Sequence, residues 1–334
     1  MELRDIPEPV IINSNDVKIK MLVVGVCGSD IHYFTQGKIG SQVVKYPFTV
    51  GHEGAGLVVG IGPGVKSVKP GDIIAIEPAM PCWECDQCLA GRQHTCRKLR
   101  FLGCPGQADG CLSEYMVMPE KSCLPLHKGL NPDNGVISEP LAIGVYSVKQ
   151  SIPVEKAKIG ILGFGPIGMS VMLAAKAQGA KTFYVSDKID ERLSIAKKEG
   201  AKLTVNPLKM NVVEEIIRNE PLALDVVYEC CGQQETFDQA IEILKPGGKL
   251  MGIGIPEFDK WSMSVEKTRR KELTIQFIRR QVNCVEYSLK LMQTGKIDIS
   301  NMITHRFPFE KTKNAFELVA EYGDGVMKAL IDFK

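Results

Sequence analysis

Neither sign of charge dominates this sequence: 41 basic residues stand against 39 acidic ones, a formal charge of +2. That balance removes the electrostatic reason to expect nucleic acid or an anionic membrane as partner, and leaves a small, neutral or mildly charged ligand. An uninterrupted apolar run of membrane-spanning length is also missing. The longest apolar stretch, Ile159 to Ala175, is broken by Gly160, Gly163, Gly165, Pro166 and Gly168, so no span is expected. No signal-peptide pattern opens the chain and the cysteine count, 11, is odd. Both features argue against a disulfide framework and for metal ligation in a soluble, cytoplasmic protein. Repeats, low-complexity tracts and long linkers are absent too, and 334 residues suggest two domains.

What is present begins with Cys27-Gly28-Ser29-Asp30-Ile31-His32-Tyr33 and Gly51-His52-Glu53-Gly54. Sulfur, nitrogen and oxygen donors in one glycine-studded region suit zinc, and three protein ligands with one open position make a catalytic rather than a structural site. The expected ligands are Cys27, His52 and Glu53, against the plainer alternative of a buried free thiol among unrelated polar neighbours.

A second set, Cys82, Cys85, Cys88 and Cys96, follows C-x2-C-x2-C-x7-C. Four thiolates that close in sequence can form a closed tetrahedral sphere that contributes folding energy without chemistry. An iron-sulfur cluster is the rival occupant. His94 is surplus to such a sphere.

Up to about residue 130 the chain carries short Val, Ile and Leu runs cut by Gly and Pro, at Asp16–Val26, Ala55–Ile61, Asp72–Ile76 and Leu112–Met118. These predict a compact, Greek-key or barrel-like β domain. Beyond Ser138, strands alternate with helices, at Lys158–Leu162, Thr182–Ser186, Leu224–Glu229 and Lys249–Ile253, which predicts a parallel sheet covered on both faces. A last helix at Lys311–Ala320 and a strand at Lys328–Phe333 are expected to return to the first domain. The expected domains are therefore 1–137 completed by 305–334, and 138–304.

Gly163-Phe164-Gly165-Pro166-Ile167-Gly168 follows a predicted strand and opens a predicted helix. In that setting the glycines permit a tight turn and close approach of a pyrophosphate to the helix N-terminus. Asp187 ends the next strand, 19 residues beyond Gly168, where a carboxylate can accept from an adenosine ribose. It would also repel a 2′-phosphate, so NAD is favoured over NADP. Lys188 and Arg192 are close by, and Arg192 joins the expected cofactor residues. Gly254 sits at the carboxyl edge of a later strand, where ligands of open α/β sheets bind. Cys230 and Cys231 are expected as packed core thiols.

These motifs, with Glu139-Pro140-Leu141 and His305-Arg306-Phe307-Pro308, resemble the zinc-dependent medium-chain alcohol dehydrogenases, and within them most closely the sorbitol (polyol) dehydrogenase branch. The resemblance spans nearly the whole chain. It implies an α/β protein with a GroES-like β-rich catalytic domain and a Rossmann domain, two zinc ions per chain, NAD, and a homotetramer or homodimer. It also implies that a glutamate near Glu139 replaces the third cysteine ligand of the ordinary branch. Whether Glu53 or Glu139 touches the metal directly, and which holds its water, the residues leave open.

Two departures stand out. Family members usually carry an opening segment that forms a strand pair, whereas this chain starts at Met1-Glu2-Leu3-Arg4. Where polyol enzymes have an Arg-Tyr pair, it has Arg280-Gln281.

The implied reaction is oxidation of a secondary alcohol of a polyol to the ketose, with hydride passed to NAD. Ser29 and His32, three residues apart, could relay the released proton. Ser29, Tyr33, Phe101, Glu139 and Arg280 are the expected substrate contacts, because polyols need donors and acceptors. Alternatives are the same chemistry on a sugar acid or an amino alcohol such as threonine, and, from another class, a non-catalytic NAD- or zinc-ribbon-binding protein.

Overall fold

The computed structural model describes residues 1–334. The chain divides into two compact units, Met1–Glu139 with Val285–Lys334, and Pro140–Cys284. The expected boundary at 304 placed the helix Val285–Gln293 in the second unit; its contacts place it in the first.

In chain order the first unit opens with β1 (Asp16–Gly25) and α1 (Gly28–Gln36), followed by β2 (Glu53–Ile61), β3 (Ile73–Ile76), β4 (Tyr115–Pro119) and β5 (Cys123–Pro125). Helix α2 (Pro132–Lys149) crosses into the second unit. That unit contains β6 (Lys158–Leu162), α3 (Pro166–Ala177), β7 (Thr182–Ser186), α4 (Asp190–Lys198), β8 (Leu203–Val205) and α5 (Val212–Asn219). It continues with β9 (Leu224–Glu229), α6 (Gln234–Ile243), β10 (Leu244–Gly252), α7 (Val265–Arg270) and β11 (Thr274–Phe277). The chain then rejoins the first unit through α8 (Val285–Gln293), β12 (Ile303–Pro308), α9 (Thr312–Ala320) and β13 (Lys328–Asp332).

The first unit is built on a seven-stranded sheet in the order β12-β13-β1-β2-β3-β5, with β4 also pairing β1. Alternation on β1 buries Val17, Ile19 and Met21 on one face, where they join Ile74, Ile76, Leu102 and Met116 in a common core. The closing strand β13 pairs with β1 in the register Val24↔Ile331 and Gly25↔Leu330, so the C-terminus does return to this sheet.

The second unit holds a six-stranded sheet in the order β8-β7-β6-β9-β10-β11, parallel throughout. Its core is Leu162, Tyr184, Val227, Phe237 and Leu250. The order reverses between β6 and β9, and at such a switch point the strand ends leave a crevice for a ligand.

Helices α1 and α2 are among those not announced by apolar periodicity. Cys27 is the N-cap of α1 and Gly37, at φ 69°, ends it. Helix α2 runs through Pro140, a residue that ordinarily ends a helix. No helix is long and apolar enough to cross a membrane.

Candidate active site and metal centres

The ligand atoms of Cys27, His52 and Glu53 lie within 4.8 Å of one another. Local structure accounts for this. Cys27 ends the turn between β1 and α1, and Glu53 opens β2, paired across the ladder with Gly25. A methyl group at Gly25 would overlap the Glu53 carboxylate and sit 2.9 Å from Val136 Cγ1. Glycine is therefore the residue that leaves room for Glu53.

Asp30, fully buried, ties the pieces together. Its Oδ2 accepts from the Cys27 amide at 3.2 Å, its Oδ1 accepts from the Gly51 amide at 3.2 Å, and Oδ1 faces His52 Nδ1 at 3.5 Å. A carboxylate on Nδ1 fixes the ring and leaves Nε2 for a metal. Burial opposes charge on His52, but the carboxylate of Asp30 and the sulfur of Cys27 outweigh it and hold the imidazole well above its ordinary value.

The expected neighbours fall around this cluster. Ser29 Oγ donates to Cys27 Sγ at 3.4 Å, and His32 lies on the same helix, half-buried. The ring of Phe101 packs on His52 with centroids 5.6 Å apart. Tyr33 donates to Gln42 Oε1 at 3.3 Å and reaches Cys104 Sγ at 4.0 Å. Its hydroxyl is raised by burial and then by Cys104.

Glu139 stands outside the three-ligand cluster. Its carboxyl is pushed up to about 7, first by burial, with Glu53 and Glu77 adding to the shift against the opposing charges of His52 and Lys328. Arg280 belongs to the other unit, in a left-handed conformation at φ 54° beside the buried Gln281.

In the second unit the glycine loop forms the turn from β6 into α3. Gly163, at φ 90°, has room for no side chain, since a Cβ there would lie 2.5 Å from Cys231 Sγ. A Cβ on Gly168 would meet the Gly163 carbonyl. Pro166 takes the first helical turn, where its missing N–H costs nothing, and Ile167 follows it. Asp187 is clamped: Oδ2 accepts from the Phe164 amide at 2.6 Å and Oδ1 from the Ile189 amide at 2.9 Å. Arg192 Nη1 would lie 3.3 Å from a Cβ on Gly165, so its guanidinium borders the loop. Across the switch point, the Glu229 carboxylate accepts from the Cys231 and Gly232 amides at 2.8 Å each, while its carbonyl accepts from Gly254 at 3.0 Å. Cys230 and Cys231, expected as packed core thiols, are only partly buried, and desolvation pushes both thiols up.

Residues 13–128 match the alcohol dehydrogenase GroES-like domain family and residues 166–294 the zinc-binding dehydrogenase family. The sorbitol dehydrogenase of Bacillus subtilis is 32% identical over 99% of this chain and 94% of its own length. The chain belongs to the zinc-dependent medium-chain dehydrogenases. Within them it is sorbitol dehydrogenase-like: the D-xylulose reductase A of Aspergillus niger is 34% identical over 99% of this chain and 93% of its own. Among solved structures, galactitol-1-phosphate dehydrogenase from Escherichia coli superposes with a TM-score of 0.87 at 28% identity, covering 98% of this chain and 96% of that one. This dehydrogenase is thus an enzyme of GroES-like plus Rossmann architecture that works with zinc and a nicotinamide cofactor.

The sulfur quartet of the dehydrogenase also suits zinc. Cys82 and Cys88 sulfurs are 3.9 Å apart, Cys85 and Cys96 3.9 Å, and Cys82 and Cys96 3.4 Å, close to the edge of about 3.8 Å for a tetrahedron with Zn–S bonds of about 2.3 Å. The Cys82 and Lys98 amides donate to Cys96 Sγ at 3.3 and 3.4 Å. The Arg97 and Cys88 amides lower Cys85 to about 6, which favours a thiolate ligand. His94, buried, is not one of the clustered donors.

Sequence reasoning passed over two residues of the dehydrogenase's mixed centre. Asp30 was in view as part of the motif, at the third helical position where a carboxylate caps the turn. Lys328 carries the second signal, a lysine inside the apolar run Met327-Lys328-Ala329-Leu330-Ile331. It is 2% exposed, and its Nζ lies 2.8 and 2.6 Å from the two Glu53 oxygens.

Proposed function

We propose that this dehydrogenase oxidises a secondary alcohol of a polyol such as sorbitol, xylitol or galactitol to the ketose, with NAD as hydride acceptor and two zinc ions per chain. The observation that carries this reading is the juxtaposition of Cys27, His52 and Glu53 as one thiolate, imidazole and carboxylate set. The names of the sorbitol, xylulose and galactitol-phosphate relatives support the substrate class.

Bound at these positions, zinc supplies Lewis-acid polarisation of a substrate oxygen and NAD a hydride acceptor. The remaining work falls to the chain. Asp30 holds His52 in the metal-binding tautomer. Ser29, whose hydroxyl rests on the Cys27 sulfur, and His32 take the released proton toward solvent. Glu139, outside the clustered donors, holds a water beside them rather than acting as a direct ligand. Phe101 and Tyr33 shape the space beside His52; for Arg280, in the other unit, a substrate-binding role rests on the resemblance alone. Asp187 accepts from the adenosine ribose, and Arg192 adds positive charge near the pyrophosphate position, with Gly163, Gly165, Gly168 and Gly254 giving the backbone room. The terminal strand β11, with Phe277 exposed, supports self-association as a homodimer or homotetramer. Eleven cysteines without a disulfide support a cytoplasmic setting.

The L-idonate 5-dehydrogenase of Vitis vinifera, 32% identical over 93% of this chain and 86% of its own, supports a second reading on sugar acids. One experiment separates the two. Zinc-replete protein is mixed with NAD and a panel of polyols, sugar acids and threonine, and NADH is followed. Turnover of polyols that stops on chelation is the expected result. Reduction of NAD only by carboxylate-bearing compounds would overturn the polyol assignment.

A further inference from the structure

We propose that Lys328 is an internal counter-cation that competes with the metal for Glu53, and so sets how tightly the mixed centre holds its ion. This rests on the assignment of Cys27, His52 and Glu53 as ligands. Lys328 is a strand residue of β13 on the inner side of the sheet, 2% exposed. Its ammonium has three protons, and the structure gives each an acceptor: Glu53 Oε1 at 2.8 Å, Glu53 Oε2 at 2.6 Å and the Val26 carbonyl at 3.1 Å. Both oxygens that Glu53 could offer a metal therefore accept a hydrogen bond from one cation.

The Glu53 carboxylate lies against Gly25, where even an added methyl would overlap Oε2. Charge makes the competition sharper. The Cys27 thiolate and the Glu53 carboxylate would face the ion directly, with the Asp30 carboxylate behind His52. Lys328 brings a further positive charge into the same low-dielectric volume, so lysine and metal repel each other while sharing Glu53. An ordinary buried ion pair would have no reason to place its acid among metal donors. A lysine at this position holds the Glu53 carboxylate in place, and a metal on that carboxylate must share its oxygens with the ammonium.

The test uses apoprotein titrated with Co2+, whose absorption distinguishes the four-sulfur site from the mixed sulfur, nitrogen and oxygen site. Lys328→Met removes the competing charge at similar volume. It should fill the mixed site about tenfold more tightly or more, the scale on which groups beyond the ligands tune metal affinity, while the four-sulfur site is unchanged. Lys328→Arg keeps the charge and should titrate as wild type does. Equal or weaker filling of the mixed site in the folded Met variant would overturn the proposal. If Lys328→Met is recovered folded only when expressed with excess zinc, Lys328→Gln is titrated in its place and must show the same tighter filling. If neither variant folds even with metal present, Lys328 is only a structural brace and the proposal falls. Absence of any mixed-site signal in wild type would instead overturn the ligand assignment itself.

Discussion

Replacing Gly25 with alanine tests the packing that places Glu53. The added methyl would overlap Glu53 Oε2 and stand 2.9 Å from Val136 Cγ1. A flexible side chain could ordinarily yield, but this carboxylate is held at both oxygens by Lys328, and its own backbone is paired with Gly25 across the ladder. Two reliefs remain. Moving β1 away from β2 is overpacking, typically about 1–3 kcal/mol. Pulling Glu53 off Lys328 breaks a buried ion pair, at about 3–5 kcal/mol. The cheaper path should dominate with some of the second mixed in, so Gly25→Ala should lose about 2–4 kcal/mol of stability by urea unfolding. It should also lose zinc selectively: metal analysis should find the four-cysteine zinc retained and the mixed-site zinc depleted. Stability within about 0.5 kcal/mol of wild type together with two zinc ions per chain would refute the reasoning.

Other outcomes follow from the same geometry. Glu139 is raised from 4.5 to about 7 chiefly by burial, so the native state binds its proton more tightly than the unfolded chain does. Its contribution is therefore favourable at low pH and is lost as pH rises from about 4.5 through 7, on the order of 3 kcal/mol in metal-free protein. Glu139→Gln should flatten that slope in urea melts across the window, and an unchanged slope would contradict the assignment. Asp187→Ser removes the acceptor of two amides and the carboxylate proposed to face the ribose; its KM for NAD should rise by roughly 10–100-fold, with NADP discrimination relaxed, on the scale of a lost charged hydrogen bond. An unaltered NAD/NADP ratio would count against Asp187. Cys85→Ser should release one zinc and make unfolding chelator-independent at that lobe, whereas full retention of two zinc ions would argue against the four-sulfur sphere.

Much of this enzyme is legible in its sequence because its motifs are local. Cys82 to Cys96 close over a short loop, the glycines from Gly163 to Gly168 sit at one turn, and Asp187 follows at the spacing a strand-helix-strand unit requires. Strand positions were legible where burial alternates or runs continuous, as in β1 and β6. Helix α1 was hidden because only nine residues long, with a cysteine as its N-cap, it lacks the usual Ser, Thr, Asp or Asn signal. Helix α2 was hidden by Pro140. What surrounds Glu53 needed three dimensions: Gly25 and Lys328, far apart in sequence, both converge on it. Lys328 itself was readable only as an anomaly, because nothing local says what a lysine in an apolar strand will meet.

The central claim, direct oxidation of a polyol carbinol by NAD at a zinc centre, is tested most directly with sorbitol deuterated at its secondary carbinol carbons. The zinc-replete enzyme should yield ketose together with reduced cofactor carrying one deuterium at the nicotinamide ring, seen by mass spectrometry and lost when zinc is stripped. Reduced cofactor without deuterium, or labelling that persists in metal-free protein, would contradict the account.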